Sequence, residues 1–270
     1  NNSFLILLIL SSVYFFSYFQ RVSVPGTIFN ELQSHFSLSA TAVTGLGALT
    51  IFIYGVCQIL AGVVSDRFGG FKAFLTGSIL LSIGSLLFSF SYNPVMLFIT
   101  RGLVGFGASF IFISLVKILT LFYQASLFPF YLSISLVLGY LGGITATYPL
   151  ERTIFLMGWR NSFLLAGILC TFFTILSWHF LKKIKKIDIS QKDFSFNSLL
   201  KVIRNIHTIP VLISGSINFG IYFLLQSALG KKFLQDSCNL CSAKASLFTF
   251  YMMITTTIFV YFAGHISQLI

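Results

Sequence analysis

Charge is what this chain has least of. Asp, Glu, Lys and Arg make up 9% of its 270 residues, against roughly a quarter in an average soluble domain. Acids are the scarcest: Glu31, Asp66, Glu151, Asp188, Asp193 and Asp236 are all six. A surface this poor in charge excludes a soluble globule. No cluster of His, Asp and Glu and no nucleophile beside a base stands out, so an enzyme is not expected. The phosphate-cradling pattern G-x-x-x-x-G-K is missing too, which argues against a nucleotide-driven machine. No cofactor is implied. Cysteine is sparse: Cys57 and Cys170 fall in apolar stretches and read as packing. Cys238 and Cys241 form a C-x-x-C, but zinc needs two more ligands and none is near, so no metal is expected. A disulfide on an oxidising face and chance spacing both remain open for that pair.

What the chain has instead is apolar surface. It is 56% hydrophobic, with 33 phenylalanines and a mean hydropathy of +0.93. A membrane-spanning helix needs about 20 mostly apolar residues. Eight such runs lie near 4–24, 42–64, 72–91, 95–122, 126–148, 162–181, 209–229 and 245–265. Barrel strands are about ten residues long and alternate apolar with polar; these runs are long and apolar all round. The expectation is an all-α membrane protein of eight spans, with phenylalanine as lipid-facing filler. The first run lacks a basic start and a small-residue cleavage site, so it does not read as a cleavable signal. The chain begins at Asn1, not Met, and stops at Ile270 as the eighth run ends. It reads as a piece of a longer protein.

The net charge of +11 raises a nucleic-acid reading, which the distribution of charge counters. Lys182, Lys183, Lys185, Lys186, Lys192, Lys201 and Arg204 lie between runs six and seven, and Arg67 and Lys72 between runs two and three. If every run crosses, those loops share one side, and basic loops mark the cytoplasm. The amino terminus falls there as well. The expected partners are a lipid bilayer and no nucleic acid, and the expected location is a bacterial inner (plasma) membrane.

The only long polar stretch is 182–208. Within it Phe194, Phe196, Leu199, Leu200, Ile203 and Ile206 recur at roughly helical spacing, which predicts a short helix lying on the inner surface. This segment separates residues 1–181, a six-helix half, from 209–270, two further helices. A shift of 202 positions supports that division. Leu32-Gln33 falls on Leu234-Gln235, Leu38 on Leu240, and Gly62-x-x-Ser65-Asp66 on Gly264-x-x-Ser267-Gln268. Runs seven and eight then repeat runs one and two.

One charged insert interrupts the apolar pattern. Gly62-x-x-x-Asp66-Arg67-x-Gly69-x-x-Lys72 lies between runs two and three, and charges beside a membrane are costly unless used. The insert resembles the signature loop of the major facilitator superfamily, between that family's second and third helices. Phe71 stands where the family usually has a basic residue. Arg101-Gly102-x-x-Gly105-x-Gly107-Ala108 is similar to the family's fourth-helix arginine motif. Gly139-x-x-Gly142-Gly143, then Pro149-Leu150 and Gly158-Trp159-Arg160, is similar to its fifth-to-sixth-helix pattern. The resemblance implies twelve helices in two six-helix halves, with substrate bound between them near the midplane. This chain would hold one half and the first two helices of the next.

In that frame Gly62, Asp66, Arg67, Gly69 and Lys72 are a conformational latch, whose carboxylate pairs with a cation or a helix end. The resemblance puts the latch partner in the second half. The alternative is an ordinary solvated loop. Arg21 is the leading substrate candidate: Tyr14, Tyr18, Arg21 and Pro25 share a helical stripe, and aromatic rings beside a cation suit a carboxylate or phosphate. Snorkelling to headgroups is the alternative. Arg101 lies about 9 Å into its run at 1.5 Å per residue, so it should be paired inside the bundle, in a structural or coupling role. Gly102, Gly105 and Gly107 allow close helix approach there, and the resemblance marks Gly105, Gly139, Gly142 and Gly143 as structural or coupling positions. Lys117, sixteen residues after Arg101, is an anion-ligand candidate or a snorkelling lysine. Asn218 and Gln226 either line a cavity or bridge helices. No acid lies deep in a run, so a proton carrier is not evident.

The leading function is secondary active transport of a small organic anion, amino acid or short peptide by alternating access. A co-transported proton is an expectation from the resemblance alone. The alternative is a receptor or facilitator that keeps the fold without transporting.

Overall fold

The structure is a computed structural model that describes residues 2–184 and 204–266. Its helices are α1 (Asn2–Ser23), α2 (Phe29–Phe36), α3 (Ala40–Phe68), α4 (Gly70–Ser89), α5 (Pro94–Phe122), α6 (Phe128–Thr145) and α7 (Tyr148–Ile184). Beyond residue 204 come α8 (Thr208–Phe223), a π-helical turn (Leu224–Ala228), α9 (Gly230–Cys238) and α10 (Ser242–Ile266). No strand occurs among the described residues. Most of the surface helix expected within 182–208 lies outside them.

Local chemistry sets the helix ends. The Ser39 hydroxyl accepts the Ala42 N–H at 3.1 Å and starts α3. Asn93 accepts the Met96 N–H at 2.8 Å, and Pro94 occupies the first turn of α5. These are the caps that orphan amide donors require. Between α3 and α4 the chain reverses at Gly69, whose φ of 94° is open mainly to glycine. Gly158, at φ 80°, breaks α7 in the same way.

Seven helices among the described residues are long and apolar enough to cross a bilayer, and the eighth run falls on α10. Six spans, α1 and α3–α7, form the first bundle; α8 and α10 begin the second. Large apolar side chains such as Phe52, Ile99, Phe155 and Phe172 point outward. Such a surface requires a lipid solvent, and the chain is an integral multi-pass membrane protein.

α1 is the axis of the first bundle: most of its length is buried, whereas α8 buries Phe223 alone. Close helix approach builds the rest. A Cβ on Gly105 would stand 2.5 Å from the Thr50 carbonyl oxygen, so α3 and α5 touch backbone to backbone there.

The offset of 202 is visible in the backbone. α2 ends at Ser37 in the left-handed region, φ 50°, and α9 ends at Asn239, φ 52°. Each turn leads into a long helix, α3 or α10.

We call the two ends of the molecule the Pro25 end and the Asp66 end. The end of α8 and the π-helical turn after it touch the first bundle near the Pro25 end, where Phe223, Gln226 and Ser227 are buried. Toward the Asp66 end its Val211, Leu212, Ile213 and Ile217 are each at least half exposed.

Candidate substrate site and its flanking ion pairs

Arg21 sits in the last turn of α1 and is 3% exposed. Its Nε donates to the Ser17 carbonyl at 3.3 Å. The guanidinium carbon lies 4.4 Å from the Tyr18 ring centroid and 4.6 Å from that of Tyr54 on α3, within cation–π range of both. Nη2 is buried and has no hydrogen-bond partner. An unpaired donor on a buried cation is costly, and a ligand oxygen would satisfy it.

The surroundings are tyrosine. Tyr14 meets Tyr18 edge-on at 6.1 Å, and Tyr140 of α6 meets Tyr18 at 5.1 Å. Tyr222 of α8 is close enough to Tyr18 and Arg21 to interact electrostatically with both, and its hydroxyl donates to the Met253 sulfur at 2.8 Å. Gly139 and Gly143 make room for this cluster. A Cβ on Gly139 would overlap the Tyr14 ring, and one on Gly143 would meet Met253 and Tyr18. A Cβ on Gly142 would overlap the Phe15 backbone, so α1 and α6 are in contact here as well. Five tyrosines from four helices thus converge on one guanidinium, at the seam between the bundles. A forked donor with aromatic walls can hold a carboxylate and pack its carbon frame.

Gln226 is buried in the π-helical turn that follows α8; its amide donates to the Thr249 carbonyl at 3.4 Å, and its Oε1 is unpartnered. Asn218 lies elsewhere, on an exposed shallow face with Ile213 and Ile217. Lys117 is elsewhere as well. Its ammonium donates to Asp66 at 2.9 Å and to the Ser65 carbonyl at 2.6 Å, at the Asp66 end of α5. The Asp66 carboxylate therefore has a cation from its own bundle. Arg67 and Lys72 are exposed; Arg67 leans over the Phe68 ring at 5.6 Å. Around Gly62 the space is open.

Arg101 is fully buried. It donates to the Thr50 hydroxyl at 3.2 Å, the Gln20 side-chain oxygen at 3.1 Å and the Gln20 carbonyl at 2.8 Å. These bonds tie α5 to α1 and α3. Such a staple holds α1, the helix that carries Arg21, in place.

A second ion pair lies at the Pro25 end. Lys231 on α9 meets Glu151 on α7 at 2.5 Å, with side chains 6% and 13% exposed. Lys231 also donates to the Thr27 carbonyl at 2.8 Å. The Ser242 hydroxyl donates to the other Glu151 oxygen, and Ser246 approaches from 3.5 Å. Glu31 faces this cluster, and burial pushes its carboxyl above the usual range while Lys231 opposes the shift. Arg160 donates to the Ser89 carbonyl at 2.8 Å beside Trp159, at the same end.

Sequence reasoning missed Tyr54, Tyr140 and Tyr222, each on a different helix from Arg21. Treating span tyrosines as polar groups that need partners is the signal that could have found them. It also left Glu151 in a loop and Lys231 unremarked. Cys238 and Cys241 are exposed free thiols. Among the described residues no group of His, Cys, Asp or Glu is arranged to hold a metal. A groove of about 450 Å³ between α1, α6 and α7 is lined by Phe15, Phe16, Phe19, Leu165 and Phe173. It carries no charge and opens on the apolar exterior, so lipid fills it more readily than a polar solute.

A buried cation thus lies at the seam of two helical bundles, inside a polytopic membrane protein. The chain belongs to the Major Facilitator Superfamily, whose family profile matches residues 10–270. It is 27% identical over 238 residues to the quinolone resistance protein NorB of Staphylococcus aureus (strain N315), covering 83% of this chain and 48% of NorB. It is 28% identical over 149 residues to human monocarboxylate transporter 7, covering 53% of this chain and 28% of that protein. The chain thus spans about half the length of NorB and less of the human relative. Among solved structures, a D-xylose-proton symporter superposes with a TM-score of 0.67 at 16% identity, over 96% of this chain and 67% of that one. A POT family transporter in complex with 5-aminolevulinic acid gives 0.61 at 16% identity, over 82% and 46%. At that identity the superpositions establish the fold.

Proposed function

We propose that the complete protein is a secondary active transporter of a small organic anion, amino acid or short peptide, working by alternating access. Residues 1–181 form one half, 182–208 a cytoplasmic linker and 209–270 the start of the second half. The observation that carries the reading is the free Nη2 of Arg21, buried among Tyr14, Tyr18, Tyr54, Tyr140 and Tyr222. Arg21 anchors the anionic group, the tyrosines pack its frame, and Gln226 offers an unsatisfied carbonyl oxygen to an ammonium or hydroxyl. Two matched proteins concern ligands with a carboxylate, by name: a monocarboxylate transporter and the complex with 5-aminolevulinic acid. The structure named for a D-xylose-proton symporter is consistent with a co-transported proton. Asp66, with Arg67, Gly69 and Lys72, acts as the latch, and Lys117 serves that latch instead of the substrate. The Asp66 end and the amino terminus face the cytoplasm of a bacterial plasma membrane, by the concentration of Lys and Arg there.

The test is uptake by the complete protein in liposomes with an imposed pH gradient, using monocarboxylates, amino acids, dipeptides and a neutral sugar. Arg21→Gln is expected to lower anion uptake at least tenfold while the protein stays folded. Equal uptake of anions by parent and Arg21→Gln would remove the arginine site. Uptake of the neutral sugar alone would remove the anion class.

A further inference from the structure

We propose that Glu151 and Lys231 form the outer gate of this transporter, a buried clasp whose closure defines the state captured in this structure. The inference rests on the alternating-access reading and on the orientation that puts the Pro25 end outside.

Four observations meet at this point. First, the pair bridges the two bundles: Glu151 starts α7, and Lys231 starts α9, just after the first span of the second bundle. Second, it is sealed. Lys231 is 6% exposed and its remaining contact, the Thr27 carbonyl, comes from the turn after α1. That turn is fixed in its own right, since the Thr27 hydroxyl donates to the Ala146 carbonyl at the end of α6. Third, both Glu151 oxygens have hydroxyl partners on α10, Ser242 and Ser246. One carboxylate therefore gathers α7, α9 and α10. Fourth, other contacts between the bundles surround the pair at this end. Asn30 reaches Gln235 at 3.4 Å, and the Gly26 backbone meets the Ser227 carbonyl. The bundles still touch at the level of Tyr18 and Met253.

The physics of a buried pair suits a gate. Its two charges lose their water, and the attraction repays this only while both partners and the surrounding donors are present. Removing either charge leaves the other buried without its direct partner, and rehydration by opening becomes the cheaper arrangement. Other charges face the pair without replacing it. Glu31 of α2 lies close enough to feel both members, and Lys232 is engaged with Asp236 at 2.8 Å on α9 itself. Arg152, next to Glu151, is turned to the Tyr148 hydroxyl.

The experiment uses the complete protein without its native cysteines, in sealed liposomes with the outer face outward. Thr249→Cys, below the clasp on α10, reports outside access through a membrane-impermeant maleimide. Asn30→Cys with Gln235→Cys reports closure through disulfide formation under mild oxidant. In the parent, labelling is slow and the disulfide forms. Glu151→Gln and Lys231→Met are each expected to raise labelling at least tenfold and to suppress the disulfide. Exchanging the charges, Glu151→Lys with Lys231→Glu, should return both readouts toward the parent. Unchanged labelling and crosslinking in both single variants, with monodisperse folded protein, would overturn the gate. So would a charge exchange that behaves like the single variants. Neither readout needs a substrate, so failure of the gate is separable from failure of the transport reading.

Discussion

The two ends of the molecule hold the same chemistry in opposite settings. At one end Asp66 and Lys117 pair at 2.9 Å with the carboxylate half exposed, within a single bundle. At the other, Glu151 and Lys231 pair with both groups nearly sealed, across two bundles. An exposed pair contributes about 0–1 kcal/mol and is screened by salt. A buried pair that loses one partner costs about 3–5 kcal/mol. The first can therefore be broken and remade readily, while the second either holds or forces the surrounding structure to move. The comparison teaches that burial, not the identity of the charges, decides which pair can serve as a wall and which as a hinge contact.

The sharpest break in this comparison is Arg101→Leu. Its three bonds to Gln20 and Thr50 belong to neither end but hold the frame between them. Loss of about 3 kcal/mol or more is expected, read as a lowered thermal transition in detergent, with no selective effect on either gate. Next comes the pair itself. Lys231→Met should shift the closed population at the Pro25 end by about 3 kcal/mol, measured by outside labelling. Lys117→Met should change stability by about 1 kcal/mol or less. Equal effects of the two lysine variants would erase the distinction drawn from burial. Asp66→Asn is expected to lower uptake rate while leaving expression and melting temperature near the parent, and unchanged uptake kinetics would remove the latch. The smallest effect is salt. Raising ionic strength from 0.1 to 1 M shortens the screening length from about 10 to 3 Å, and should mimic Lys117→Met but not Lys231→Met.

The fold was legible in the sequence because lipid leaves few choices: long apolar runs must be helices, and their number and order could be counted. The Asp66 motif was legible as a pattern, yet its partner was not. Lys117 looked like an anion ligand because angular position on one helix says nothing about which neighbour lies opposite. Glu151 suffered the same fate. It precedes Gly158, and a loop seemed to run there, but α7 begins at Tyr148 and breaks only at Gly158. That places the carboxylate on a helical turn packed against α10. The stripe Tyr14, Tyr18, Arg21 came from helical period alone. Tyr54, Tyr140 and Tyr222 could not, since they approach from other helices through contacts made only in three dimensions.

The spare donor on Arg21 has one more consequence. A guanidinium keeps its charge at every acidity a cell meets, so a bound anion cannot be discharged there by titrating its host. In the proposed transport cycle unloading is then mechanical: Tyr54 and Tyr222, which come from helices other than the arginine's own, withdraw and let water compete for the nitrogen. On that proposal the rate of solute delivery is set by how fast two aromatic rings part.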